Sequence, residues 1–206
     1  MGTAAIPRTN PSEIPEPRIA RLLFANTYLA PLWLIIRLYV GYEWLMAGWE
    51  KFTDPAGVWV GAKAGTAIMG FAKGALAKTG GEHPNVAGWY AAFLQNVVMP
   101  NAALWGYLIT AGEILVGLGL IVGLFTGIAA FFGGFMNANY LLAGTVSSNP
   151  LLFILATWLV LAWRVAGWWG LDRWALPPVG VPGAPGTLFR RRPEEPEPPA
   201  RTVRES

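Results

Sequence analysis

The chain contains no cysteine and one histidine, His83, in 206 residues. Without thiols it can form no disulfide, hold no cysteine-ligated iron–sulfur cluster, attach no covalent haem and run no thiol catalysis. A single imidazole cannot supply a bis-histidine haem. His83 also lacks neighbours at metal-ligand spacing, so it reads as a solvated loop residue and no metal or haem is expected within the chain. Any redox role would need a diffusible quinone or a partner's cofactor as electron carrier. Charge is scarce too, at 13% of residues, against 54% hydrophobic residues and 11 tryptophans. That is too little polar surface to cover a soluble globule of this length.

The apolar residues occur as four long runs, Pro31 to Trp49, Ala102 to Leu124, Thr126 to Ala143 and Pro150 to Trp168. Each has the length of a bilayer-spanning helix, and none shows the short alternating pattern of a β-barrel strand. In lipid each backbone must satisfy its own hydrogen bonds. The expected fold is therefore all-α, an integral membrane four-helix bundle. The first 28 residues are polar and proline-bearing, with no short apolar core before a small-residue cleavage site. The first run is thus expected to act as its own membrane signal. Arg8, Arg18 and Arg21 precede the first run and six arginines follow the fourth, whereas Lys51, Lys63, Lys73 and Lys78 lie in the loop between the first and second. This asymmetry favours an inner-membrane, multi-pass protein with both termini in the cytoplasm. The net charge of +3 then reflects topology and attraction to anionic membrane lipids, not nucleic-acid binding.

Three regions follow. Residues 1–29 form an N-terminal segment in which Arg18 to Leu29 suits a short basic amphipathic helix at the interface. Residues 30–175 hold the four spans. Their outer loop, Val58 to Lys78 and then Trp89, Tyr90, Phe93 and Leu94, reads as two short helices lying over the bundle mouth. Between spans two and three Gly123 to Gly127 allows only a tight turn, with Thr126 a candidate N-cap, so those spans form an antiparallel hairpin. Residues 176–206 are rich in proline and charge, a composition that buries no core and is expected to be a disordered cytoplasmic tail unless a partner orders it.

Arg37, Glu43, Glu113 and Arg164 interrupt the spans, and a charge at such depth costs at least about 2.5 kcal/mol unless paired or wetted. With the outer span ends taken as level, Arg37 and Glu113 lie roughly 18 and 16 Å deep at 1.5 Å per residue. An ion pair between them is geometrically allowed on that basis. A buried pair of this kind can be merely a register device. Arg37, Gly41, Trp44, Gly48 and Lys51 recur along one helical face, from which Glu43 deviates by about 120°. Glu43 matches the depth of Asn137, so that carboxyl, Asn137 and either Asn139 or Tyr140 are expected to share an outward-opening polar pocket. Arg164, nearer the inner face, could pair or snorkel to phosphates. Gly119, Gly123, Gly133, Gly134 and Gly144 fit close helix contact.

Several motifs in fixed order carry a resemblance. They are Arg37-Leu-Tyr-Val-Gly41, Ala47-Gly48-Trp-Glu-Lys51, Trp89-Tyr90 with Phe93-Leu94 ahead of Pro100-Asn101, Gly112-Glu113 with Val116-Gly117, and Gly123 to Gly127 leading to Met136-Asn137 and Asn139. Over roughly residues 30 to 175 the chain resembles the DoxX/DoxD family of four-helix membrane proteins. The DoxD branch is the large subunit of thiosulfate:quinone oxidoreductase, which joins two thiosulfates as tetrathionate and reduces membrane quinone. Other members are described as accessory parts of redox or stress-response assemblies. The chain differs from fused members in carrying no second, DoxA-like soluble domain, which tells against catalysis by this chain alone.

Two readings follow. As a quinone-reactive subunit, the chain would use Glu43 and Glu113 as proton-transfer groups, with Arg37, Lys51, Asn137, Asn139 and Arg164 as substrate- or quinone-binding candidates and quinone as diffusible substrate. As a non-catalytic accessory subunit, it would fill a groove of a larger bioenergetic complex with partner proteins. A transporter would use similar charges, but repeated halves and broken spans are not evident in the sequence.

Overall fold

The computed structural model describes residues 16–180, and all regular structure among them is helical. Eight α-helices follow in order: α1 Arg18–Ala25, α2 Ala30–Phe52, α3 Thr66–Leu76, α4 Gly88–Phe93, α5 Ala102–Val122, α6 Thr126–Leu142, α7 Asn149–Leu161 and α8 Asp172–Ala175. The first 15 residues and the tail beyond residue 180 lie outside the described residues.

Helices α2, α5, α6 and α7 form a closed ring, with α2 on α5, α5 on α6, α6 on α7 and α7 back on α2. The largest of these contacts, α2 on α5, depends on glycine. A Cβ at Gly48 would stand 2.8 Å from the Ile114 nitrogen, one at Gly117 2.5 Å from the Leu45 nitrogen, and one at Gly41 3.0 Å from the Leu120 Cβ. These three positions let the two backbones touch, which fixes the axial register of the antiparallel pair. The expected α2 face forms as read, with Arg37, Gly41, Trp44 and Gly48 buried.

Two apolar clusters result. One fills the ring around Trp33, Val40, Trp44, Leu120 and Leu159. The other lies under residues 53–101, where α3 and α4 cover one end of the ring around Ile68, Ala72, Val86, Tyr90 and Leu94. We call this the lid end. The opposite, terminal end carries α1 and α8, and there Trp33 Nε1 donates to the Leu23 carbonyl. The lid is tied down by Lys78 Nζ donating to the Gly144 carbonyl at 2.7 Å and by the Tyr90 hydroxyl donating to the Asn139 carbonyl at 2.9 Å.

Two span boundaries differ from expectation. The second apolar run does not start at Ala102, because the chain is helical without interruption from Gly88 to Val122. Pro100 has no N–H to donate. A wide π turn over Leu94–Val98, in which the Met99 N–H reaches back to the Leu94 carbonyl, absorbs the missing bond and carries the helix past the proline. The fourth run is regular only to Leu161 and continues as successive turns through residue 171. By length and composition one described helix, Gly88–Val122, is long and apolar enough to cross a membrane. A bent pair, Arg18–Ala25 with Thr27–Phe52 at 52°, passes the same test when its members are taken together.

Candidate functional site

The α2–α5 register brings the last turn of α2 level with the middle of α5. Lys51 Nζ lies 2.7 Å from Glu113 Oε2, and the Glu113 side chain is 1% exposed. From α6, the Tyr140 hydroxyl donates to Glu113 Oε1 at 2.8 Å. Both carboxylate oxygens are therefore engaged, one by a cation and one by a phenol. Lys51 is partly open to the lid end, lies 5.0 Å from the Trp59 ring centre, and also donates to the Ala47 carbonyl. The Tyr140 ring stacks on Trp44 and meets Phe71 edge-on, so its orientation is held from two sides.

Tyr140 also lines an apolar cavity of about 120 Å³ beneath the lid, bounded by Phe71 from α3, Tyr90 and Phe93 from α4, and Trp105 from α5. Asn139 is at its edge. A longer apolar groove of about 710 Å³ between α5 and α6 shares Trp105, Ile109 and Met136 with the cavity. The polar chain from Lys51 through Glu113 to Tyr140 thus runs from the lid end to the wall of an apolar space.

The Arg37–Glu113 pair that the depths allow does not form. Arg37, 1% exposed, donates instead to the carbonyls of Leu120 at 2.9 Å, Ile121 at 3.4 Å and Trp169 at 3.1 Å. Arg37 and Glu113 are not level, because α5 projects past the end of α2 into the lid. Gly41 against Leu120 and Gly48 against Ile114 show the true register. The Glu43–Asn137 pocket does not form either. Asn137 Nδ2 donates to Asn149 Oδ1 at 2.9 Å, while Asn139 accepts from Tyr90 and donates to the Phe135 carbonyl. Glu43 is half-buried and makes no hydrogen bond or ion pair among the described residues. Arg164 is half-exposed at the terminal end and pairs with Glu16 at 2.9 Å, away from the relay. His83 is exposed in the bend before α4.

Asp172 was not singled out in the sequence. It is 3% exposed, and its carboxylate accepts from the amides of Phe125 at 2.6 Å and Thr126 at 2.9 Å. The start of α6 is capped by this distant aspartate and not by Thr126. Phe125 is held at φ +49, a conformation a non-glycine residue rarely adopts. Arg37 closes the C-terminal carbonyls of α5 and Asp172 the first amides of α6, so opposite charges bracket one turn. The available signal was that Asp172 is the lone acidic residue between Glu113 and Glu194.

The sequence model of one protein family, DoxX, matches residues 32–144, from the first turn of α2 through the end of α6. The chain belongs to the DoxX family. Within the matched DoxX region lie Arg37, Glu43, Lys51, Glu113, Asn137, Asn139 and Tyr140, whereas Arg164 and Asp172 fall beyond it. The family is membrane-associated, in keeping with the apolar helix Gly88–Val122 of this DoxX chain. No curated protein and no solved structure matches the chain.

Proposed function

We propose that this DoxX chain is the membrane subunit of a quinone-linked oxidoreductase, on the pattern of the DoxD branch it resembles. In this reading α2, α5, α6 and α7 cross the inner membrane, the turns after Leu161 completing the fourth crossing. Both termini are cytoplasmic and the lid faces outward. The observation that carries the reading is the buried Lys51–Glu113–Tyr140 chain ending at an apolar cavity. Quinone, when bound, takes up two electrons and two protons, the electrons coming from an oxidisable donor such as thiosulfate.

The residues fit such a guest. An engineered cavity of about 150 Å³ holds benzene, so a substituted ring would fill the space under the lid and extend into the α5–α6 groove. Tyr90, Phe93 and Trp105 supply flat apolar walls there, and Asn139 a polar edge. Glu113 receives a proton from the Lys51 side and passes it to the Tyr140 oxygen as the phenol turns its own proton into the cavity. Lys51, near the lid surface, also attracts an anionic donor.

The experiment is purification of the full chain from its native membranes in mild detergent, with mass spectrometry of co-purifying proteins and quantification of bound quinone. Quinone together with a DoxA-like partner in a small assembly supports the proposal. A large cofactor-rich complex holding one copy and no quinone at this chain overturns it and makes the chain an accessory subunit.

A further inference from the structure

Glu43 sits in an apolar helix, and among the described residues nothing satisfies it. It is the fourteenth residue of α2, on the flank turned away from α5, and among the described residues no donor reaches it. Around it the α2 surface has a regular order. From Leu32 to Trp49 the apolar residues Ile35, Tyr39, Tyr42 and Met46 follow at alternating steps of three and four, a heptad seam in which Glu43 flanks Tyr42. Among the described residues nothing covers this seam: Ile35 is 67% exposed, Tyr39 41% and Tyr42 57%. The phenols of Tyr39 and Tyr42 likewise make no hydrogen bond among the described residues.

We propose that this seam is the interface with a second copy of the chain, the two α2 helices lying side by side and parallel. The inference rests on the membrane-spanning reading above, because two copies inserted alike must present α2 in the same direction and at the same depth. Under a two-fold axis along the membrane normal the interface is self-complementary. Glu43 of each copy then meets Tyr42 and Tyr39 of the other, so both unsatisfied carboxyls acquire phenol donors at once. The flanking positions lie on opposite edges of a heptad seam, which keeps the two Glu43 carboxyls apart. In hydrocarbon, apolar seam residues gain little from leaving lipid, so interhelical hydrogen bonds and packing drive such an association. Lipid offers an unpaired carboxyl nothing, which favours a protein neighbour.

The absence of native cysteine makes the test direct. Single substitutions Ile35→Cys, Tyr39→Cys and Met46→Cys are placed on the seam, with Leu115→Cys and Ile128→Cys as exposed controls on other helices. Each full-length variant is oxidised in native membrane vesicles, beside carbonate extraction of the same vesicles. Two differently tagged copies are co-expressed to identify the cross-linked chains. The expected result is a disulfide-linked homodimer several-fold more abundant at seam positions than at the controls, and a several-fold loss of the Ile35→Cys dimer when Glu43→Leu is added. Seam yields no higher than those of the controls, cross-links only to a chain of different mass, or a dimer indifferent to Glu43→Leu overturn the proposal. Release of the protein by carbonate overturns the membrane reading instead.

Discussion

The Lys51 ammonium, at the last turn of α2, stands 2.7 Å from the Glu113 carboxylate at the middle of α5. The two residues are 62 positions apart in sequence, by the difference of their numbers, and meet only because three glycines let α2 and α5 touch at one register. This pair is both a structural tie and the first step of the proposed proton path, and the two roles separate experimentally.

Glu113→Gln leaves Lys51 without its counter-charge in a largely buried site. Breaking such a pair costs about 3–5 kcal/mol. The lower figure is expected, because Lys51 is 18% exposed and can turn to water. Lys51→Met combined with Glu113→Leu should recover most of that loss, since replacing both members by apolar groups leaves no orphan charge. Reversible unfolding in mixed micelles measures both variants, and a double variant as unstable as the single would show that the pair is not the source of the loss.

Tyr140→Phe retains the ring against Trp44 and Phe71 and removes only the hydroxyl that donates to Glu113. A hydrogen bond to a charged group contributes about 1.5–3 kcal/mol. The bundle should remain folded and the cavity keep its shape, so bound quinone should persist while its reduction slows by at least an order of magnitude. An unchanged rate would remove Tyr140 from the path.

Asp172→Ala should expose the start of α6. Loss of a side-chain cap costs about 0.5–2 kcal/mol, and here the buried Arg37 also loses the opposite charge beside it. Amide exchange at Phe125 and Thr126 should accelerate before that of the α2–α5 contact. Uniform acceleration through the bundle would instead mean that Asp172 supports the whole ring.

Glycines divide into two kinds with opposite expected effects. Gly117→Ala would drive a methyl group against the Leu45 backbone, and overpacking of this kind costs about 1–3 kcal/mol. Gly70 and Gly74, on the exposed side of α3, have no heavy atom within 4 Å of an added Cβ. Alanine at either should stabilise by about 0.5–1 kcal/mol through the lower backbone entropy of the unfolded chain. Thermal unfolding of the three single variants tests the ordering.

Periodicity made the helices and their buried faces readable. Arg37, Gly41, Trp44 and Gly48 share a face because 3.6 residues complete a turn in any context, and the short α3 helix and the tight α5–α6 turn followed from local composition, whereas the second expected short helix, α4, is the start of the helix that runs on to Val122. Depth was not readable by the same means. The outer ends of α2 and α5 are not level: Lys51 in the last turn of α2 meets Glu113 in the middle of α5, so the first half of α5 extends past α2 into the lid and Glu113 pairs with Lys51 and not with Arg37. The cap on α6 was equally hidden, because Asp172 is 46 positions beyond the amide it binds in Thr126.

Composition and pattern alone determined that the chain is helical, poor in charge, without thiol chemistry and similar to the DoxX family, since these depend on residue types and local spacing. Which charge meets which partner was decided only by tertiary structure. That choice depends on how far one helix slides along another, and it is set by backbone contact at Gly41, Gly48 and Gly117. No residue's own chemistry encodes that distance.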